Sequence, residues 1–96
     1  MAAHFVGESY DTGEKGSAAG RAASAAAELA RQGRPVRHLG SLLAPEDELA
    51  LHLFEADAAE TVAEVGRRAS LSFDRIWRAV WSGPAEPCNH VLEEAT

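Results

Sequence analysis

Four histidines stand at positions 4, 38, 52 and 90, and a single cysteine at position 88. Neutral imidazole binds zinc, copper, nickel and iron, and a carboxylate can complete such a site. His4, His38, His52 and Glu8 are the candidate metal ligands, because a strand reading of their segments collects them on one sheet face. They come from separate strands. No His-x-His or Cys-x-x-Cys pair anchors them, so spacing alone identifies no centre. The same residues would also serve as half-buried polar groups in a dimer contact. Phe54, Trp77 and Trp81 fall on the same face and could line a pocket for a small molecule, with His38 or His52 as general base. Cys88-Asn89-His90 offers a second donor pair, which reads as solvated. Asp47 and Glu48 are turn acids with nothing apolar nearby to raise a carboxyl pKa. Ser41 beside His38 is too generic a pair to identify a hydrolase.

Positioning these groups requires strands, and the central one runs from Leu49 to Ala56. Leu49, Leu51 and Leu53 alternate there with Ala50, His52 and Phe54 at the period of two of a strand. Bulky aliphatic groups suit a core, so the leucines are expected beneath helices and His52 on the open side. Pro45-Glu46-Asp47 before it reads as a turn. Val36 to Ala44 forms the other arm of the hairpin, with Gly40 expected opposite His52 and His38 opposite Phe54. That register puts Leu42 with the histidines, and Leu39 and Leu43 with the leucines. A slip of one residue would exchange the faces.

His4 to Tyr10 is the first strand, with Phe5 inward and His4, Val6 and Glu8 outward, since a buried glutamate would need a partner. Asp11 to Gly16 is a polar loop whose Gly13, Gly16 and Gly20 match neither phosphate-binding fingerprint. Ser17 to Gln32 is an alanine-rich helix with Ser17 as N-cap and Gly33 as its stop. Its inner stripe includes Ala22, Ala25, Ala26 and Leu29. A second helix spans Ala58 to Ala69, opened by Asp57 and Glu60 as a capping box. Its buried stripe is Val62, Val65 and Ala69. Arg75 to Trp81 is the last strand, with Ile76 and Val80 on one face and the two indoles on the other. Residues 1–83 make one domain, and 84–96 an acidic, flexible tail.

The order β-α-β-β-α-β predicts an α+β, ferredoxin-like two-layer sandwich with a four-stranded antiparallel sheet. Right-handed crossovers put both helices on one side and leave the other side bare. Exposed aromatics there call for a cover, and a second copy packed sheet to sheet supplies it.

With 96 residues there is one modest core, and a formal charge of −6 with 9 basic residues argues against nucleic acid. No apolar run approaches the roughly 20 residues of a membrane span. The start Met-Ala-Ala-His lacks a secretory pattern. One cysteine suits a reducing cytoplasm.

Short motifs resemble a family: Glu8-Ser9-Tyr10, Leu39-Gly40-Ser41, Pro45-Glu46-Asp47-Glu48, Phe54-Glu55-Ala56 and Leu71-Ser72-Phe73-Asp74-Arg75-Ile76. Together they are similar to a small bacterial ferredoxin-like domain-of-unknown-function family that includes a nickel-responsive, nickel-binding protein. The resemblance covers residues 5 to 81. It implies a ferredoxin-like sandwich, commonly dimeric, with nickel as the metal. Ligand chemistry adds zinc or copper. The position of His52 resembles one where several members carry cysteine. The leading expectation is therefore a cytoplasmic homodimer binding a transition metal on its open sheet face, more a binding protein than an enzyme. The alternative is a small-molecule-binding protein or enzyme of isomerase or cyclase type, with its pocket between sheet and partner. A structural or interaction module is the third.

Overall fold

The computed structural model describes residues 2–10 and 15–84. Strand β1 (Ala3–Ser9) leads to helix α1 (Lys15–Arg31), and strand β2 (Val36–Ala44) follows. A single 3-10 turn (Pro45–Asp47) leads to β3 (Leu49–Ala56), helix α2 (Ala59–Arg68) and β4 (Arg75–Ala79). The four strands form one antiparallel sheet in the order β2-β3-β1-β4. This is the expected ferredoxin-like α+β arrangement. The expected tail, with Cys88 and His90, lies outside the described residues, as does most of the Asp11 to Gly16 loop.

Both helices end in the same way. Gly33 takes a left-handed φ of 86°, its N–H donates to Ala30, and the N–H of Arg34 donates to Leu29. Ser70 does this for α2 at φ 58°, its N–H donating to Arg67 and that of Leu71 to Gly66. These paired bonds satisfy carbonyls that a helix end leaves open. The start of α2 differs from the expected capping box. Its N-cap is Ala58, one residue later, without a side-chain cap bond.

Alanines govern the layer between helices and sheet. Ala18, Ala22, Ala25 and Ala26 of α1 are buried with Leu29, and Val62 and Val65 line α2. Short side chains let a helix lie close to the sheet, so the strand residues beneath must be small or flat. They are: Phe5 and Gly7 from β1, and Ala50, His52, Phe54 and Ala56 from β3. The ring of Phe73, from the segment after α2, fills the remaining gap. It lies where side chains at Gly7 and Gly66 would otherwise stand.

The central strand is therefore turned over relative to expectation. His52 and Phe54, both fully buried, lie under the helices, and Leu49, Leu51 and Leu53 look out. Strand β1 keeps its expected sides: Phe5 is inward and Val6 outward, paired with Leu53 and Trp77. Strand β4 ends at Ala79, so Val80 and Trp81 lie beyond it; Val80 is 84% exposed instead of lying under a helix.

Candidate functional site

The four expected metal ligands divide between the two sides of the sheet. His4 and Glu8 lie on the open face, four residues apart along one strand, about 13 Å by strand geometry. His38 and His52 are on the helix side. Glu8 already has partners: the Tyr10 hydroxyl donates to its carboxylate, and Arg75 lies 3.8 Å away. The hydrogen bond with Glu8, followed by desolvation, raises the Tyr10 pKa above its ordinary value. Arg75 in turn stacks 4.9 Å over the Trp77 ring. Among the described residues no three His, Cys, Asp or Glu side chains group as a metal site. The open-face centre of His4, Glu8, His38 and His52 is thus not assembled, because β3 presents its leucines there.

The bare face is aliphatic instead. Leu42 sits opposite Leu51, and Leu53 is paired with Val6, which is paired with Trp77. The Leu53, Val6 and Trp77 row spans three strands and meets Gly40 on β2, while the Leu42–Leu51 row continues into Glu8 and Arg75. Leu42 is 69% exposed and Trp81 46%. Val6, Leu39, Leu42, Leu51, Leu53 and Trp81 border a groove of about 520 Å³. Trp77 lies on this face as expected and Trp81 lines the groove, but Phe54 is in the core and lines nothing outside it. One end of the face carries charge: Arg37 pairs with Glu55 at 2.8 Å, and Glu55 is opposite His4.

Beneath the sheet, the two histidines meet through a serine. His38 Nε2 is 3.0 Å from Ser41 Oγ, which is 2.7 Å from His52 Nδ1. Residues three apart on a regular strand point to opposite faces. His38 and Ser41 share one because β2 bulges between His38 and Gly40, so that His38 pairs with Phe54, Gly40 with Leu53 and Ser41 with His52. The expected pairing of His38 with Phe54 holds; that of Gly40 with His52 does not. Beyond the bulge the strand is out of phase with simple alternation. Leu42 therefore joins the outward leucines, and Leu43 turns to the helix side. Around the chain of bonds lie rings: His38 is 5.3 Å from Phe54, and His52 is 5.8 Å from Phe73. Burial lowers the His38 pKa, partly opposed by a hydrogen bond with the Gly40 backbone.

A hydroxyl has one hydrogen. Ser41 therefore gives it to one imidazole and accepts an N–H from the other. The sequence offers Ser41 beside His38 only as a generic pair, because a bulge adds one residue without leaving a compositional mark that would put the two on one face.

No protein-family model and no curated protein matches this chain. Among solved structures, the crystal structure of SCO4226 from Streptomyces coelicolor A3(2) is similar to it. The TM-score is 0.66 and the identity 22%, over 84% of this chain and 100% of that one. At that identity the likeness speaks for the ferredoxin-like fold.

Proposed function

We propose that this chain is a homodimeric binding protein whose open sheet faces pack together and enclose a small apolar molecule. The observation that carries it is the apolar patch of Leu42, Leu51, Leu53, Val6 and Trp77 on the open face, with Leu42 and Trp81 widely exposed. Contiguous apolar patches of this kind on a monomer mark interaction surfaces. The open face combines a patch of leucines, Val6 and Trp77 with charged groups: Arg37 and Glu55 at one end, and the buried Glu8 beside Leu51 with Tyr10 and Arg75 as its partners. A two-fold axis through the centre brings each patch onto its own copy, which gives a closed pair. The groove beside Trp81 supplies the volume for a ligand. Light scattering on the wild type and on Leu51→Asp tests this: the wild type reads as a dimer and the variant as a folded monomer. A monomeric wild type at tens of micromolar overturns the reading.

Convergence of two imidazole nitrogens on Ser41 favours a second reading, in which a transition metal is held by His38 and His52. Nickel is preferred from the family resemblance, zinc or copper from imidazole chemistry. Two imidazoles are fewer protein donors than the usual three of an open site, so this reading is secondary. Calorimetric titration with nickel against a His38→Ala, His52→Ala double variant decides it; equal binding by both proteins removes it.

A further inference from the structure

We propose that Ser41 is an acyl-accepting nucleophile for small esters with apolar acyl groups, with His38 or His52 as its base. The proposal deepens the ligand-binding reading above by naming the class of ligand. Its basis is the single hydroxyl held between two imidazoles, at 3.0 and 2.7 Å. A purely structural His52 would need one hydrogen bond there, and a serine opposite it on a regular strand would provide that. Here the strand is broken by a bulge, and the break brings a second imidazole to the same oxygen. Bulges re-aim side chains next to active sites. A nucleophile in hydrogen-bond reach of a base, itself steadied by packing, is the working arrangement of covalent acyl transfer. Phe73 and the core pack against His52, and Phe54 packs against His38.

Access comes from the side. β2 is one of the two edge strands of the sheet, and Ser41 and His38 are both only partly buried. Ser41 also borders the apolar groove with Leu39, Leu42 and Leu53. In this proposal an acyl chain lying in that groove would pass around β2, an edge strand among the described residues, to the hydroxyl on the helix side.

The steps balance without any further reagent than water. Ser41 Oγ adds to the ester carbonyl carbon while its proton passes to the accepting imidazole nitrogen. The tetrahedral adduct expels the alkoxide, which takes that proton and leaves as the alcohol. Water then gives a proton to the same nitrogen, adds to the Ser41 ester, and releases the acid; the proton returns to Oγ.

The test is covalent labelling of the full chain with a small alkyl fluorophosphonate, read by intact mass and peptide mapping. The expected result is a single adduct at Ser41, absent in Ser41→Ala. General-base assistance contributes about 10²- to 10⁴-fold, so either His38→Gln or His52→Gln should slow labelling by about 100-fold. Labelling should rise between pH 5 and 8 as the imidazole becomes neutral; this reading uses the wild type and needs no variant to fold. Turnover of p-nitrophenyl butyrate should fall to the buffer rate in Ser41→Ala. No adduct, adducts spread over several serines, a pH-independent rate, or equal turnover by Ser41→Ala overturns the proposal. The fluorophosphonate is too small to require the groove. Labelling without dimerisation therefore refutes only the binding reading, and dimerisation without labelling refutes only the nucleophile.

Discussion

Substituting Gly66 with alanine sets two known effects against each other, and the position of Phe73 decides the sign. Gly66 lies inside α2, where alanine is ordinarily favoured by about 1 kcal/mol. A Cβ at Gly66 would, however, stand 2.9 and 3.0 Å from two carbons of the Phe73 ring, and 3.3 Å from the Leu71 carbonyl oxygen. Comfortable carbon contacts lie at about 3.5–4.0 Å, so the ring must withdraw by more than half an ångström. On the sheet side the same partly buried ring lies where a Gly7 side chain would stand, 2.8–2.9 Å from an ideal Cβ, so it is held between the two glycines. Overpacking of this kind costs about 1–3 kcal/mol, which exceeds the helical gain. Gly66→Ala should thus destabilise the wild type by about 1 kcal/mol net, a fall in Tm of about 4–8 °C for a chain of this size. In a Phe73→Ala background the obstruction is gone, and the same substitution should stabilise by up to about 1 kcal/mol. Urea unfolding of the four proteins, followed by fluorescence of Trp77 and Trp81, measures this cycle. Its coupling should be about 2 kcal/mol. Gly66→Ala stabilising both backgrounds alike would refute the wedge.

Ser41→Ala leaves the buried His52 Nδ1 without its hydroxyl partner and should cost about 1–3 kcal/mol, seen as a lower urea midpoint at unchanged slope. Because burial depresses the His38 pKa, the folded state binds fewer protons there than the unfolded chain. Its contribution to stability is complete above the unfolded value of about 6.5 and is lost as pH falls below it toward the folded value; thermal melts from pH 8 to 5 should show the decline, and His38→Gln should flatten it. Ser70→Gly should stabilise by about 1 kcal/mol in thermal melts, since a serine at φ 58° bears a steric cost that glycine avoids.

The order of elements was legible because its signals are local: alternation in β1 and β3, the proline turn at Pro45, and Gly33 after α1. The side on which β3 buries itself was not. Both of its alternating sets are apolar, Leu49, Leu51 and Leu53 against Ala50, Phe54 and Ala56, so period alone leaves two answers. Side-chain bulk favours the leucines, but the layer under the helices is filled by Phe5, His52, Phe54 and Phe73 against alanines. The pairing of Phe5 with Phe54 held the answer, since Phe5 was already placed inward. Register across separate strands is a tertiary property, which no single segment displays. The site followed the same error: His38 and His52 were rightly put together, and on the wrong side. His4 and Glu8, rightly outward, were left without them.

Leu39 is surplus to the pairing of β2. If it were removed, His38, Gly40 and Ser41 would run as an ordinary alternating ladder, with every neighbour still facing its present way. The chain carries one more residue than the sheet requires, on what is an edge strand among the described residues. A shortened chain lacking Leu39 should fold and keep His38 and Ser41 on one face, yet lose one wall of the outer groove. Such a deletion separates what the edge does for architecture from what it does for chemistry.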